Sequence, residues 1–354
     1  MSAELIAVIA VIVVAMAFDY TNGFHDAANA IATSVSTRAL TPRAALIIAA
    51  LGNFVGAHFG GKVAKTVGDG LVTLPPGLAS LGVVFAGVVG AIIWNLMTWY
   101  LGLPSSSSHA LFGGLVGATL FAAGGVVQWG NILVKVIYPM VLSPLIGFLL
   151  GALVMFILLW VIFGLGRLGS SPFGRRRPRL ARIGHPGPLN RFFRVAQSVS
   201  ATAMAVGHGM QDAAKTMGIV VLALYTGGFQ DSKTDIPQWV FFTSATVLAL
   251  GTYAGGWRII RTLGRRIIHL GPPEGFAAET VASSVLYYNA LVLGAPISTT
   301  HTITSAIMGV GATKKVSAVR WGVAGNIVTA WILTFPGSAL IASLMYFLVR
   351  PLFS

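Results

Sequence analysis

The most regular feature of the chain is a series of long apolar runs separated by short polar segments. A membrane-spanning helix needs about 20 mostly apolar residues, and most of the runs approach or exceed that length. The first and the sixth are too long for one span and contain polar residues, which predicts helices that break within the membrane. The ten runs cover residues 3–37, 44–61, 78–99, 107–127, 132–163, 195–228, 238–257, 276–293, 297–313 and 321–348. We therefore expect an all-α polytopic membrane protein with broken helices, helical hairpins and about 10–12 membrane segments.

The composition agrees with this pattern. Of the 354 residues, 55% are hydrophobic and only 9% are charged, whereas soluble domains carry about 25% charged residues. The mean hydropathy is +0.82. These values exclude a soluble globular domain and a disordered chain. The absence of cysteine excludes disulfides, thiolate catalysis and cysteine metal sites.

The two halves of the chain repeat each other. GFHDAANA at 23–30 corresponds to GMQDAAKT at 209–216, and GLPSSSSH at 102–109 corresponds to GAPISTTH at 294–301. Two weaker pairs follow the same order: 60–68 with 255–264, and 142–153 with 333–344. The pattern predicts a duplication, with a transmembrane repeat at 1–166, a basic linker at 167–194 and a second repeat at 195–354. Matching polar interruptions in both halves are typical of secondary transporters.

The basic residues indicate the orientation. The net charge is +14, and 8 of the 23 Lys and Arg residues lie in the linker. With the linker in the cytoplasm and five crossings per half, 17 basic residues lie inside and 5 outside, as the positive-inside rule requires. An odd number of crossings per half makes the repeats inverted and puts both termini outside. We expect a multi-pass protein of the cell membrane, whose charge reflects orientation in the lipid bilayer and not nucleic-acid binding.

Two polar constellations lie within the apolar runs, and each occurs in both halves. The first places four residues at i, i+3, i+4 and i+7, which is one helical stripe: Asn22, His25, Asp26 and Asn29, repeated as His208, Gln211, Asp212 and Lys215. Ionisable groups at membrane depth are costly and usually line a cavity or an ion path. A structural Asp212–Lys215 pair is the alternative for the second stripe.

The second constellation is a pair of hydroxyl-rich blocks. They are Pro104-Ser105-Ser106-Ser107-Ser108-His109 and Pro296-Ile297-Ser298-Thr299-Thr300-His301. Proline in a first turn and hydroxyl N-caps predict two helix starts, where free N–H groups and added hydroxyls suit an anion. Ordinary capping is the alternative.

Five further residues are secondary candidates. Asn95 and Asn289 occupy corresponding places before the two blocks, and either interhelical bonding or ligand binding suits them. His109 and His301 could carry protons or brace the hairpins. Glu279 heads an apolar run and could be a first-turn acid.

Together, the paired GFHDAANA and GMQDAAKT blocks and the paired PSSSSH and PISTTH blocks resemble the inorganic phosphate transporter (PiT) family, over nearly the whole chain. The resemblance implies alternating access between inverted repeats, with phosphate and a coupling cation near mid-membrane. It implies a coupling-cation site at Asp26 and Asp212, which would also be the metal ligands for Na⁺, with Asn22, His25 and Gln211 beside them. It implies that the two hydroxyl blocks are phosphate-binding turns, and Lys215 matches a lysine usual in the family's second block. With the candidates from the stripes and from the positions before the blocks, we expect a phosphate site formed by Ser105, Ser106, Ser107, Ser108, Ser298, Thr299, Thr300, Asn29, Lys215, Asn95 and Asn289.

The chain departs from the family signature before each acid. His25 and Gln211 stand where the family has Asn, whose carbonyl oxygen suits Na⁺. Histidine titrates near pH 7, which favours H⁺ over Na⁺ as the coupling ion. No other cofactor is expected. The partner is inorganic phosphate, alone or as a metal–phosphate complex, and a homodimer fits such carriers.

Three alternatives stay open at this point: a Na⁺-coupled phosphate symporter, a sulfate or other oxyanion permease, and a channel. An intramembrane hydrolase would need one Ser–His pair and gives no reason for duplication, so we expect no enzyme.

Overall fold

Helices account for most of the structure, a computed structural model that describes residues 2–168 and 187–354. Numbered along the chain, they are α1 (Ala3–Ser36), α2 (Pro42–Ala57), α3 (Gly61–Gly70), α4 (Leu78–Leu101), α5 (Ser107–Thr119), α6 (Trp129–Ile132), α7 (Tyr138–Leu168), α8 (Pro188–Thr226), α9 (Gln238–Ala254), α10 (Trp257–Arg261), α11 (Pro272–Tyr287), α12 (Thr299–Lys314) and α13 (Trp321–Val349). Short π-helical turns cover Leu133–Ile137, Thr262–Arg266 and Tyr288–Leu293, and 3₁₀ turns cover Val316–Ala318 and Arg350–Leu352. The two-residue strands β1 (Val72–Thr73) and β2 (Val126–Val127) pair antiparallel. The predicted all-α fold is confirmed.

The breaks predicted within the first and sixth runs are wrong. α1 is one helix of 34 residues and α8 is one helix of 39 residues. α1 contains no proline, and the only proline of α8 is at its first position, where it is tolerated. The polar side chains lie on one stripe against other helices, so the backbone hydrogen bonds continue past them.

The chain bends elsewhere. α2 and α3 meet at 68°. Two hairpins turn at Gly102 and Gly294, whose φ values of +67° and +61° lie in the left-handed region that favours glycine. Within the described ranges, five helical segments are long and apolar enough to span a membrane, and six if the bent pair counts as one span. The other apolar runs form helices that are shorter or more polar, which is why fewer full spans are found than the 10–12 segments predicted.

The predicted linker is partly helical at its ends. α7 continues to Leu168, and α8 begins at Pro188 because proline favours the first helical position. Phe193 in this first stretch of α8 is buried. The rest of the linker, residues 169–186, lies outside the described residues.

The outward faces of α7 and α13 are apolar and exposed. Trp160 is 73% exposed and Phe156 61% exposed on α7, and Leu348 is 67% exposed on α13. Large exposed apolar surfaces are unusual in soluble monomers, whereas lipid tails cover them in a membrane. The chain is therefore a multi-pass membrane protein.

Helix contacts repeat between the halves with the partners exchanged. Gly56 of α2 packs on the carbonyl of Val206 in α8, where an added Cβ would lie 2.0 Å from the oxygen. Gly251 of α9 packs in the same way on the carbonyl of Tyr20 in α1, at 2.2 Å. The second helix of each half thus packs closely on the first helix of the other half. Only glycine allows the two backbones to come this close.

Gly251→Ala should destabilise the protein, because its Cβ has no room against α1. Overpacking of this kind costs about 1–3 kcal/mol, so the melting temperature in detergent should fall by several degrees. Gly325→Ala is the matched control, since its Cβ would meet nothing within 4 Å on α13. An equal effect of the two substitutions would contradict the close contact between α1 and α9.

Candidate functional site

The two polar stripes meet inside the protein. All eight stripe residues are at most 1% exposed: Asn22, His25, Asp26, Asn29, His208, Gln211, Asp212 and Lys215. A carboxylate oxygen of Asp26, one of Asp212 and a ring nitrogen of His208 lie within 4.8 Å of one another. The helices α1 and α8 therefore bring the two motif acids together, as the duplicated spacing predicts.

Both hydroxyl blocks begin helices. Ser106 is the N-cap of α5 and accepts a hydrogen bond from the backbone N–H of His109 at 3.3 Å. Ser298 caps α12 and accepts from the backbone N–H of His301 at 3.2 Å. The expectation that the prolines lie in the first turns is wrong. Pro104 and Pro296 each lie two residues before the N-cap. There they keep the preceding residue extended, so that the chain leaves the hairpin and enters the helix.

The start of α5 and the start of α12 both reach the Asp26 carboxylate. Ser107 donates to Asp26 Oδ2 at 2.8 Å, and Thr300 lies 3.5 Å from Oδ1. The amide of Asn29, one turn further along α1, donates to the hydroxyls of Thr299 at 3.1 Å and Thr300 at 2.9 Å. The first stripe thus contacts the hydroxyl blocks of both halves.

Lys215 connects the second stripe with the same helix starts. Its ammonium group donates to Ser108 Oγ at 2.5 Å, to Asp212 Oδ1 at 2.7 Å and to the carbonyl of Ile297 at 3.2 Å. The structural Asp212–Lys215 pair is therefore present, but it does not stand alone, because the same ammonium holds a hydroxyl of the block.

Each motif acid also has a histidine beside it. His25 Nδ1 donates to Asp26 Oδ1 at 2.6 Å, and its Nε2 lies 3.2 Å from the hydroxyl of Thr98. His208 Nε2 lies 3.0 Å from Asp212 Oδ2, and its Nδ1 lies 3.0 Å from Asn53 Oδ1. Neither Thr98 nor Asn53 was predicted, since neither belongs to a polar block that recurs in the other half of the sequence.

Two predicted residues support the hairpins instead of facing the helix starts. The Gln211 oxygen accepts from the backbone N–H of Ile297 at 3.2 Å, and its amide donates to the carbonyl of Ala295 at 3.3 Å. Ser105 donates to Thr98 Oγ1 at 2.8 Å and lies 3.4 Å from the His25 ring.

The three remaining asparagines differ in their surroundings. Asn22 and Asn95 are buried, and neither has a side-chain hydrogen bond in the part of the chain that the structure describes. Asn289 is only half-buried and donates to the carbonyl of Val285 in its own helix at 2.9 Å. A π-helical turn begins at Tyr288, and its extra residue per turn rotates Asn289 away from the position that Asn95 has in α4.

The histidines of the blocks face each other. The ring centroids of His109 and His301 are 4.7 Å apart, and His301 stacks on Trp331 at 4.0 Å. Among the described residues His109 Nδ1 has no hydrogen-bond partner, and the backbone of Met140 lies beside the His301 ring. Both rings are buried, and both histidines lie in the first turns of their helices, α5 and α12.

Two further buried acids lie outside the motifs, Glu279 on α11 and Asp19 on α1. Glu279 is not a first-turn acid, because α11 begins at Pro272 and Glu274 occupies that turn. Glu279 is fully buried and accepts hydrogen bonds from Ser200 and Thr33. Asp19 is fully buried on α1. Sequence reasoning missed it because the equivalent position of the second half is Ala205, so that no repeat signals it.

The arrangement suits an anion beside a cation. Two helix starts and the Lys215 ammonium present donors and positive potential. The carboxylates of Asp26 and Asp212 present negative charge a few ångströms away.

The comparisons with known proteins agree with this chemistry. A sequence profile described as "Phosphate transporter family" matches residues 22–342. The probable low-affinity inorganic phosphate transporter of Rhizobium meliloti (strain 1021) is 47% identical over 341 residues, 96% of this chain and 95% of that protein. The protein of the same description from Bacillus subtilis (strain 168) is 41% identical over 352 residues, 99% of both chains.

A solved structure has the same fold. It is described as the sodium-dependent phosphate transporter, and it superposes with a TM-score of 0.82 over 98% of this chain and 99% of that chain. The sequence identity is 24%, so the likeness concerns the fold.

Proposed function

Because this chain belongs to the phosphate transporter family, we propose that it is a proton-coupled symporter that imports inorganic phosphate by alternating access. It is a membrane phosphate transporter and not an enzyme. The coupling ion, the residues that bind each solute and the orientation are parts of the proposal. The excess of Lys and Arg in the linker supports a cytoplasmic linker with both termini outside.

The observation that carries the phosphate site is the meeting of two helix starts at one buried ammonium group. Lys215 contacts Ser108 of α5 and Ile297, just before α12. From the same two helix starts, the hydroxyls of Ser107 and Thr300 contact the Asp26 carboxylate. These donors can turn to an incoming anion, and none of them except Lys215 carries a full charge, so the anion can leave again.

The carboxylates favour phosphate over sulfate. Hydrogen phosphate carries an O–H that needs an acceptor, and Asp26 and Asp212 provide acceptors next to the donors. Sulfate has no proton to donate and would face the carboxylates with oxygen against oxygen. An unsatisfied or repelled polar group in a buried site is costly, and this supports phosphate as the substrate.

Charge balance explains why a cation must enter with the anion. Lys215 is the only fully buried Lys or Arg in the described ranges, and it already faces Asp212. Adding phosphate beside Asp26 would leave excess negative charge in a low-dielectric interior, where such charge is expensive. A cation that neutralises an acid of the site removes this cost.

The contacts of His25 and Gln211 support a proton as this cation. His25 Nδ1 is bound to Asp26 at 2.6 Å, so the pair can exchange a proton at once. The Gln211 oxygen, which could have ligated Na⁺, is already bound to the backbone of Ile297. A sodium ion would have to displace these contacts.

The packing supports inverted repeats. Asp19 of α1 lies beside Thr216 of α8, whereas Thr33 and Ser200 share Glu279 at the other end of the contact. The equivalent helices α1 and α8 therefore run antiparallel, as inverted repeats require. If the helix contacts at Gly56 and Gly251 form and break in alternation, one half can move against the other.

Removing the hydroxyls tests the phosphate site. Ser106, Ser107 and Ser108 to Ala, or Ser298, Thr299 and Thr300 to Ala or Val, should weaken phosphate binding. A neutral hydrogen bond contributes about 0.5–1.5 kcal/mol, so the dissociation constant of each triple variant should rise at least about tenfold. Equilibrium binding of radiolabelled phosphate to the purified protein measures this. Unchanged isotherms for both variants would move the site elsewhere.

A further inference from the structure

Asp19 is a buried carboxylate that no described basic side chain pairs with. It is 0% exposed on α1, and among the described residues of α8 the hydroxyl of Thr216 lies next to it. The other buried acids each have hydrogen bonds or ion pairs: Asp26 with His25 and Ser107, Asp212 with Lys215, Glu274 with Lys314, and Glu279 with Ser200 and Thr33. A lone carboxylate at membrane depth is costly and marks function.

Two uncharged polar groups lie beside Asp19. Asn22, one turn further along α1, is fully buried, and within residues 2–168 and 187–354 nothing bonds to its amide oxygen or nitrogen. The hydroxyl of Thr216 of α8 lies next to the Asp19 carboxylate. A carboxylate, an amide and a hydroxyl thus lie together where α1 packs on α8.

The charged groups that face Asp19 come from α8. They are Asp212 and Lys215. The helices α4 and α9 also pack on α1 and contain no Asp, Glu, His, Lys or Arg. Ionisable residues occur on the other elements that contact α1, namely α2, α5, α10, α11, α12 and the turn Thr262–Arg266, but they are not among the groups that act on Asp19. On α1 itself Tyr20 is adjacent, and the nearest Asp, Glu, His, Lys or Arg residues are His25 and Asp26, six and seven residues away. Lys215 is already held by three acceptors, and within the described ranges no basic side chain forms an ion pair with Asp19.

Asp26 and Asp212 are part of the network around the helix starts. Asp26 is bound by a histidine and a hydroxyl, and Asp212 by an ammonium group with a histidine beside it. Asp19 has no histidine or ammonium partner, and no residue of the hydroxyl blocks contacts it in the described ranges. Its charge can therefore change without breaking a contact of the phosphate site.

We propose that Asp19, with Asn22 and Thr216, is an additional acceptor for the coupling proton, about 10 Å along α1 from Asp26. A proton from one side of the membrane adds to the carboxylate, the neutral acid donates to Asn22 or Thr216, and the same proton leaves on the other side. No covalent bond other than O–H forms or breaks. This inference rests on the proposed proton coupling.

Asp19→Asn tests it, because asparagine has the shape of the neutral acid but holds no exchangeable carboxyl proton. The full-length protein is reconstituted in liposomes for two assays with radiolabelled phosphate. The first is exchange of internal for external phosphate at equal pH, and the second is accumulation under a pH gradient. One proton per phosphate and one pH unit support about tenfold accumulation. We expect Asp19→Asn to keep exchange within about twofold of the wild type and to lose accumulation.

Asp235→Asn, an exposed acid before α9, is the matched control and should leave both assays unchanged. Asp19→Glu should restore accumulation, since it restores a carboxyl group. Accumulation by Asp19→Asn equal to that of a pH-driven wild type would overturn the acceptor role of Asp19 and leave proton coupling intact. Loss of exchange together with accumulation, without rescue by Asp19→Glu, would show a structural role and also overturn it. A wild type that ignores the pH gradient would instead overturn the proposed coupling itself.

Discussion

Lys215→Met should abolish phosphate binding and uptake. The substitution keeps a long side chain but removes the buried ammonium that holds Ser108, Asp212 and the Ile297 carbonyl. Removing one partner of a buried ion pair costs about 3–5 kcal/mol, and the anion loses its only buried counter-charge among the described residues. We expect at least about a hundredfold loss in phosphate affinity, measured by equilibrium binding.

Two further variants separate binding from folding. Lys215→Met/Asp212→Asn removes both charges of the pair, so it should regain stability without regaining phosphate binding. Lys315→Met removes an exposed lysine at the end of α12 and should bind as the wild type does. Wild-type affinity in Lys215→Met would contradict the assignment of the ammonium to the anion.

Asp26→Asn should abolish concentrative uptake while the protein stays folded. Asparagine offers no carboxylate to accept a coupling proton, and it loses the charge that orients Ser107. Accumulation of radiolabelled phosphate in proteoliposomes should fall to the equilibrium level, and Asp212→Asn should behave alike. Exchange of internal for external phosphate should fall as well, because Asp26 contacts the hydroxyl block. This loss of exchange distinguishes Asp26→Asn from Asp19→Asn, which should keep exchange.

Normal accumulation by both Asp26→Asn and Asp212→Asn at a saturating gradient would contradict a role of the two motif acids in cation coupling. Asp231→Asn, an exposed acid of the loop before α9, is the control for loss of a carboxylate as such.

The parts of the site that follow from local rules could be predicted from the sequence. Helical periodicity puts Asp26 and Asn29 on one face wherever the helix goes, and Ser106 and Ser298 cap helices because hydroxyls satisfy the first free N–H groups. Duplication then indicates that the two sets belong to one site, and the geometry brings them together.

The parts that depend on a third helix could not be predicted. Glu279 is buried because Ser200 of α8 and Thr33 of α1 reach it, and no local spacing encodes that meeting. Asn289 turns away because a π-helical turn occurs in one half only at this place. Asp19 lies in an apolar run and has no counterpart in the second half, so only its burial away from any basic side chain of the described residues reveals it.

The continuity of α1 and α8 shows a further limit of the pattern. Polar residues within an apolar run indicate either a broken helix or an intact one with a buried polar face. The distinction depends on whether other helices supply partners, as Thr98, Asn53 and the hydroxyl blocks do.

Phosphate uptake by the purified protein in Na⁺-free liposomes tests the central claim, that phosphate enters together with protons. An imposed pH gradient, acidic outside, should drive radiolabelled phosphate above its equilibrium level, a protonophore should abolish this, and excess sulfate should not compete. Strict dependence on Na⁺ with no response to the pH gradient would contradict the account.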